Sequence, residues 1–208
     1  MEHILYDKYY YESYALLTLK HFWKDFKEGF LNSDKPDLQN EKENIGIEVV
    51  QALSEYEGMC RSIENNNYGV SLPKEYFGYD NRIDKCNNAY SDRDHINEII
   101  NAVNGKLHKL NKHEDGYTIF KTNGLYVYAE NSLLVFEDVK DMLPIINDIQ
   151  SGFELNFDII FLNAIEKMFI INQNDIVEQC YFDDEKLENI HKEALITSEI
   201  LRMEMTEK

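Results

Sequence analysis

A glutamate inside an apolar strand constrains the fold of this chain more than any other feature. The run Ile45-Gly46-Ile47-Glu48-Val49-Val50 is apolar and mostly β-branched except at Glu48, which predicts a strand that carries one carboxylate. A buried carboxylate is costly unless a cation or hydrogen bonds offset its desolvation. Upstream, Pro36 suits the start of a strand, since it has no N–H to donate to a ladder. The polar turn 41–44 then predicts a hairpin in which Asp37 faces Glu48.

Two facing carboxylates predict a site for a divalent cation. Carboxylate oxygens are the hard ligands that Mg²⁺ accepts in proteins. Each acid taken alone also suits a purely structural role, because Asp37 after a proline can cap a turn and Glu48 can lie on an exposed sheet edge. Together, the pair and its spacing predict a metal site, and the first hypothesis is a metal-dependent phosphodiesterase.

The same residues resemble the PD-(D/E)XK nuclease superfamily, in which a Pro-Asp pair and a short turn precede an acid inside an apolar strand. Pro36-Asp37 and Gly46-Ile47-Glu48-Val49-Val50 match that pattern within the first half of the chain. The resemblance implies an α/β fold with a mixed β-sheet flanked by helices and a restriction-endonuclease-like core. It also implies that Asp37, Glu48 and the backbone carbonyl of Val49 bind Mg²⁺ or Mn²⁺, with Glu12 of the first helix completing the acidic cluster.

The chain departs from the family pattern at the lysine. The family lysine lies two residues after the glutamate, where this chain has Val50. Lys106 or Lys109 from a neighbouring helix can replace it, and Gln51 is a further candidate, although strand alternation points Gln51 away from Glu48. The predicted catalytic residues are therefore Glu12, Asp37, Glu48 and Lys106, with Glu28 as a competitor of Glu12.

The net charge of −18 opposes binding of a polyanion, because an acidic protein repels nucleic acid at long range. A cluster of basic residues at Lys106, Lys109 and Lys112 keeps nucleic acid as a candidate partner, and a protein partner or a homo-oligomer can supply further basic surface. The alternative hypothesis is a catalytically inactive nuclease-like fold that acts as an acidic protein-interaction module.

The cysteines and the apolar segments indicate the compartment. Cys60, Cys86 and Cys180 are too widely spaced for a disulfide framework or a Cys-x-x-Cys metal site, which predicts reduced thiols in a cytoplasmic protein. No apolar run approaches the roughly 20 residues that span a bilayer, and the N-terminus has no secretory pattern, so no membrane partner is expected.

The periodicity predicts alternating helices and strands in one nuclease-like domain, 1–208, with a C-terminal helical appendage at 183–208. The predicted helices are 7–30, 53–64, 92–112, 138–150 and 183–203. The predicted strands are 37–40, 45–51, 125–129, 157–162 and 167–171. Residues 65–91 have little periodicity and are predicted to form a long surface loop. The order strand, strand, helix, strand suits a crossover connection onto a mixed sheet.

Overall fold

The computed structural model describes residues 6–53, 92–112, 116–129, 134–172 and 175–206. In these residues a mixed seven-stranded sheet is flanked by four helices, which confirms the predicted α/β class. The helices are α1 (Lys8–Phe22), α2 (Asp92–Asn111), α3 (Phe136–Ser151) and α4 (Asp184–Thr206). The strands are β1 (Leu31–Asn32), β2 (Leu38–Asn40), β3 (Ile45–Gln51), β4 (Thr122–Tyr128), β5 (Ile159–Asn163), β6 (Lys167–Asn172) and β7 (Asp175–Tyr181).

The strands follow chain order across the sheet, from β1 to β7. The β3–β4 and β4–β5 pairs are parallel and all others are antiparallel. Parallel neighbours need crossover connections, and here α2 lies in the chain between β3 and β4 while α3 lies between β4 and β5. In the β2–β3 hairpin Leu38 pairs with Ile47, so Asp37, one residue before β2, comes opposite Glu48.

Two apolar cores cover the two faces of the sheet. Residues of α2 and α3, such as Val103 and Met142, pack against Leu125 and Leu162 in one core. Residues of α1 and α4 pack against the other face, which includes Ile47. Alternation along β3 therefore turns its odd-numbered residues toward α1 and its even-numbered residues, including Glu48, toward α2. The candidate acid thus faces the helix that carries the predicted lysines.

Several elements differ from their predicted extent. The predicted helix 7–30 is wrong beyond Phe22, because Trp23 takes an extended conformation. The apolar spacing continues in an irregular segment that still packs, with the Trp23 ring 4.9 Å from that of Phe161. Strand β4 begins three residues before its predicted start, at Thr122. Strands β1 and β7 were not predicted. The predicted helix 53–64, beyond its first residue, and the predicted loop 65–91 lie outside the described residues.

A strained residue lies in the connection between β5 and β6. Ile165 has φ +60°, a left-handed conformation that is unusual for a β-branched side chain, and its N–H donates to Asn163 Oδ1 at 2.9 Å. We expect Ile165→Gly to stabilise the protein by about 1 kcal/mol, since relief of strain exceeds the extra chain entropy of glycine. Urea unfolding measures the change, and Ile165→Val, which keeps the strain, is the control. A lower stability of the glycine variant would contradict this account.

Candidate functional site

Asp37 and Glu48, the two acids predicted to face each other, lie together and are buried. Their residues are 5% and 1% exposed, respectively. Asp37 Oδ2 accepts a hydrogen bond from the backbone N–H of Val49 at 2.8 Å, which fixes the carboxylate against β3. Gly46 allows Pro36 to lie close to β3, because a Cβ at Gly46 would lie 2.6 Å from Pro36 Cγ. The Phe120 ring, whose Cδ2 would lie still closer to the same Cβ, and the Pro36 ring therefore both pack over a strand position that has no side chain.

Helix α2 brings two lysines to the acids. Lys106 Nζ donates a hydrogen bond to Glu48 Oε2 and lies 3.5 Å from Asp37 Oδ2, so one ammonium contacts both acids. Lys109, one turn later, is 3.9 Å from Glu48 Oε2. The Lys106 side chain is 16% exposed and that of Lys109 is 34% exposed, which makes Lys106 the inner cation of the pair.

Three other candidate residues, Lys112, Gln51 and Glu28, lie away from the acid pair. Lys112 follows the end of α2 and is exposed. Strand alternation places Gln51 on the α1 side of β3, away from Glu48, as the sequence predicts. Glu28, the competitor of Glu12, is an exposed residue whose carboxylate lies 3.7 Å from Lys20 Nζ. Of the residues predicted to replace the family lysine, Lys106 is therefore the one that contacts both acids.

Glu12 joins the cluster through a lysine that the sequence analysis missed. Glu12 is buried in α1, and its Oε2 accepts a 3.5 Å hydrogen bond from Asn32 Nδ2. Lys8 Nζ lies 3.4 Å from Glu12 Oε1 and 3.6 Å from Asp37 Oδ1. The i,i+4 spacing of Lys8 and Glu12 was the only sequence signal for this contact, and such pairs are common on solvated helix faces.

The environment of the cluster shifts several pKa values. Burial raises the pKa of Glu12 to about 7, and the negative charge of Asp37 is a further cause. Burial lowers the pKa of Lys8, but the charges of Glu12 and Asp37 act in the opposite direction and leave it raised overall. Burial also raises the pKa of Tyr117, and the negative charge of Glu48 is a further cause. Tyr117 is thus a second neighbour of the site that no sequence motif indicated.

The raised pKa of Glu12 predicts a pH-dependent effect of Glu12→Gln. The folded state favours the protonated form of the Glu12 carboxyl. Protonation of Glu12 therefore contributes fully to stability below the ordinary pKa of 4.5, and this contribution is lost as the pH rises through about 7. We expect the variant to be more stable than the native protein by about 1 to 2 kcal/mol at pH 8 and equal to it at pH 4.5. Urea unfolding at both pH values measures this difference.

Glu28→Gln is the matched control for that comparison, because Glu28 is exposed and its substitution should leave stability unchanged at either pH. A Glu12→Gln variant that is less stable than the native protein at pH 8 would contradict the prediction. That result would mean that the ion pair with Lys8 outweighs the cost of burying the Glu12 charge.

The donor atoms of the cluster fit a divalent cation of the magnesium type. Glu12 Oε1 and Glu48 Oε1 are buried and accept no hydrogen bond from the described residues. Within the described ranges, no three His, Cys, Asp or Glu side chains form a ligand group. Mg²⁺, however, is commonly held by one or two carboxylates and keeps several waters. Asp37 and Glu48 supply two carboxylates, and Glu48 Oε1 is without a hydrogen-bond donor among the described residues.

A separate groove has a volume of about 570 Å³ and lies between the start of β4 and the end of α3. None of the acids or lysines of the cluster lines it. Its buried polar side chains have structural partners, since Gln150 Oε1 accepts from the N–H of Phe157 at 2.9 Å and Asn123 Oδ1 accepts from the N–H of Phe120 at 3.3 Å. The groove is therefore a weaker candidate site than the cluster.

No protein-family model, curated protein or solved structure matches this chain. The nuclease resemblance thus depends on the residues and their arrangement alone. In the parts of the chain that the structure describes, no helix has the length and apolar character needed to cross a bilayer.

Proposed function

We propose that this protein is a metal-dependent nuclease that hydrolyses phosphodiester bonds in nucleic acid. The observation that supports the proposal is the meeting of Asp37 and Glu48, from adjacent strand positions, with Lys106 from the crossover helix. The antiparallel meander, α2 and β4 also follow the predicted order of strand, strand, helix and strand, which suits a crossover connection onto a mixed sheet.

Asp37, Glu48 and the Val49 carbonyl are the residues that would hold Mg²⁺ or Mn²⁺ in this proposal. A bound ion of this kind lowers the pKa of a water ligand and stabilises charge on the phosphate and the leaving oxygen. The N–H of Val49 holds Asp37 in the orientation that faces Lys106. This arrangement presets the carboxylate before any substrate arrives, which lowers the cost of organising the site.

Lys106 stabilises negative charge on the scissile phosphate. Its ammonium is mostly shielded from water, and a charge in such an environment acts more strongly than one at the surface. Lys109, which is more exposed, is placed for a phosphate further from the acids. Glu12 contributes a carboxyl whose pKa of about 7 suits proton transfer near neutral pH.

Incubation with single-stranded and double-stranded DNA and RNA, each with Mg²⁺, Mn²⁺ or a chelator, tests the proposal. We expect cleavage of at least one substrate with either metal, and no cleavage with the chelator. Absence of cleavage under all of these conditions would contradict the nuclease function.

A second candidate function is the acidic protein-interaction module, in which a nuclease-like fold no longer cuts. The observation that favours it is an exposed apolar stripe on α4, formed by Ile196, Ile200 and Met203 at helical spacing. This function predicts a defined complex and no metal dependence. Light scattering of the native protein and of an Ile196→Lys/Ile200→Lys variant tests it, since only the native stripe should support self-association.

A further inference from the structure

Lys8 lies among three carboxylates at the edge of the candidate metal site. Its Nζ is 3.3 Å from Asp34 Oδ1, 3.4 Å from Glu12 Oε1 and 3.6 Å from Asp37 Oδ1. Glu12 and Asp37 are buried, whereas Asp34 is exposed. The ammonium therefore offsets two charges that the protein has removed from water.

The two oxygens of Asp37 face different ammonium groups. Oδ1 is near Lys8 on α1, and Oδ2 is near Lys106 on α2 at 3.5 Å. A cation that binds Asp37 must compete with both lysines. The two lysines differ in how easily they can withdraw, because the Lys8 side chain is 54% exposed and that of Lys106 is 16% exposed. Lys8 can regain its hydration by rotating into solvent, so its displacement from Asp37 costs less free energy than the displacement of Lys106.

We propose that Lys8 is a tethered counter-cation, which neutralises Glu12 and Asp37 in the metal-free protein and competes with a divalent ion for these carboxylates. The inference rests on the proposed metal site. Glu12 Oε1 supports it independently, because this buried oxygen accepts no hydrogen bond from the described residues and has Lys8 as its nearby positive charge. Lys8 is thus a positioning residue that sets the metal affinity of the site.

The competition has a second consequence for substrate binding. Once a divalent ion displaces it from Glu12 and Asp37, the Lys8 ammonium keeps only the exposed Asp34 as a carboxylate partner and becomes available to an anionic phosphate. Metal and phosphate should then strengthen each other's binding, as linkage requires, beyond the effect of their direct contact. Lys8 would supply part of this coupling.

Isothermal titration calorimetry with Mn²⁺ at pH 7.5 tests the inference on the full chain. We expect Lys8→Met to bind Mn²⁺ about five- to tenfold more tightly than the native protein, because a positive charge close to the site is removed. Lys8→Arg keeps that charge and should bind with native affinity. Lys20→Met is the matched control, since Lys20 lies on the same helix with similar exposure but pairs with Glu28 outside the site.

Lys8→Gln provides a second neutral variant, and circular dichroism verifies that each variant is folded. The same titrations in inorganic phosphate measure the coupling, which should be smaller in both neutral variants than in the native protein. Tighter Mn²⁺ binding by the two neutral variants, with Lys20→Met unchanged, supports the inference.

The outcomes separate this inference from the proposed nuclease function. Equal or weaker Mn²⁺ binding by Lys8→Met and Lys8→Gln would overturn the counter-cation role while the native metal site stands. Binding by these variants but not by the native protein would support the role of Lys8 and contradict metal-dependent function in the native chain. Failure of all the proteins to bind Mn²⁺ would overturn both.

Discussion

Replacement of Lys106 by methionine is expected to destabilise the fold by about 3 kcal/mol, because it leaves the buried Glu48 carboxylate without its closest cation. Glu48 is 1% exposed, and the remaining lysine, Lys109, is 3.9 Å away. Urea unfolding at pH 7.5 measures the loss. Lys109→Met is the control on the same helix, and it should cost less than about 1 kcal/mol since Lys109 is more exposed.

A double-mutant cycle identifies the cause of this loss. Glu48→Gln in the Lys106→Met background should restore most of the stability, since no uncompensated charge is then buried. A Lys106→Met variant that loses less than about 1 kcal/mol would contradict the account. Equal effects of Lys106→Met with glutamate or glutamine at position 48 would also contradict it, because the cost would then come from lost packing of the lysine stem.

Asp37→Asn and Glu48→Gln are each expected to reduce metal-dependent cleavage of nucleic acid by about a thousandfold, because a bound ion supplies several kcal/mol of charge stabilisation. Fluorescent oligonucleotide cleavage under single-turnover conditions measures the rates. Asp34→Asn is the matched control, since Asp34 lies in the same loop but is exposed and directed at Lys8. Its cleavage rate should stay within threefold, or about 0.7 kcal/mol, of the native rate.

Stability separates a catalytic loss from a folding defect in these variants. Glu48→Gln leaves Lys106 beside the Asp37 carboxylate, so we expect the variant to remain folded and to lose less stability than Lys106→Met. A folded Glu48→Gln variant that cleaves at the native rate would contradict the assignment of Glu48 to the site. Loss of cleavage together with loss of folding in Asp37→Asn would leave Glu48→Gln as the decisive variant.

The sequence predicted the acid pair because local rules determine it. Pro36 and the apolar run around Glu48 define two strands, and period-two alternation sets Asp37 opposite Glu48 once a short turn joins them. The apolar stripe of α2 likewise predicted that helix to within one residue of its end. These features depend on residues that are close in sequence, where pattern and geometry are directly linked.

The remaining parts of the site depend on tertiary packing. The contacts of Lys106 with both acids follow from how α2 lies on the sheet, which no local pattern specifies. The contact of Lys8 with Asp37 arises because α1 covers the opposite face near the start of β2. Tyr117 reaches Glu48 from a connecting segment whose N–H at Thr118 donates to the Lys35 carbonyl at 3.0 Å. The sequence offered Lys106 as one option and contained no signal for Tyr117.

Two of the errors in secondary structure, the overlong first helix and the missed strand β7, have opposite causes. The helical prediction ran past Phe22 because apolar spacing continues through Phe26 and Phe30, whose rings lie 5.4 Å apart outside any helix. The apolar residues of this irregular segment are needed for tertiary packing, and their spacing happens to match that of a helix. Strand β7 was missed because it is a partly exposed edge strand with mixed polar and apolar residues, so neither a buried run nor a clean alternation indicated it.

Thermal unfolding with and without Mn²⁺ and Mg²⁺, for the native protein, Asp37→Asn and Glu48→Gln, tests the central claim that these two acids hold a divalent ion. Binding to the folded state alone stabilises it by mass action, by about 2.7 kcal/mol at a metal concentration of about one hundred times Kd. We predict a rise in the native unfolding midpoint that both substitutions abolish. No rise in the native protein, or an equal rise in all three proteins, would contradict the claim.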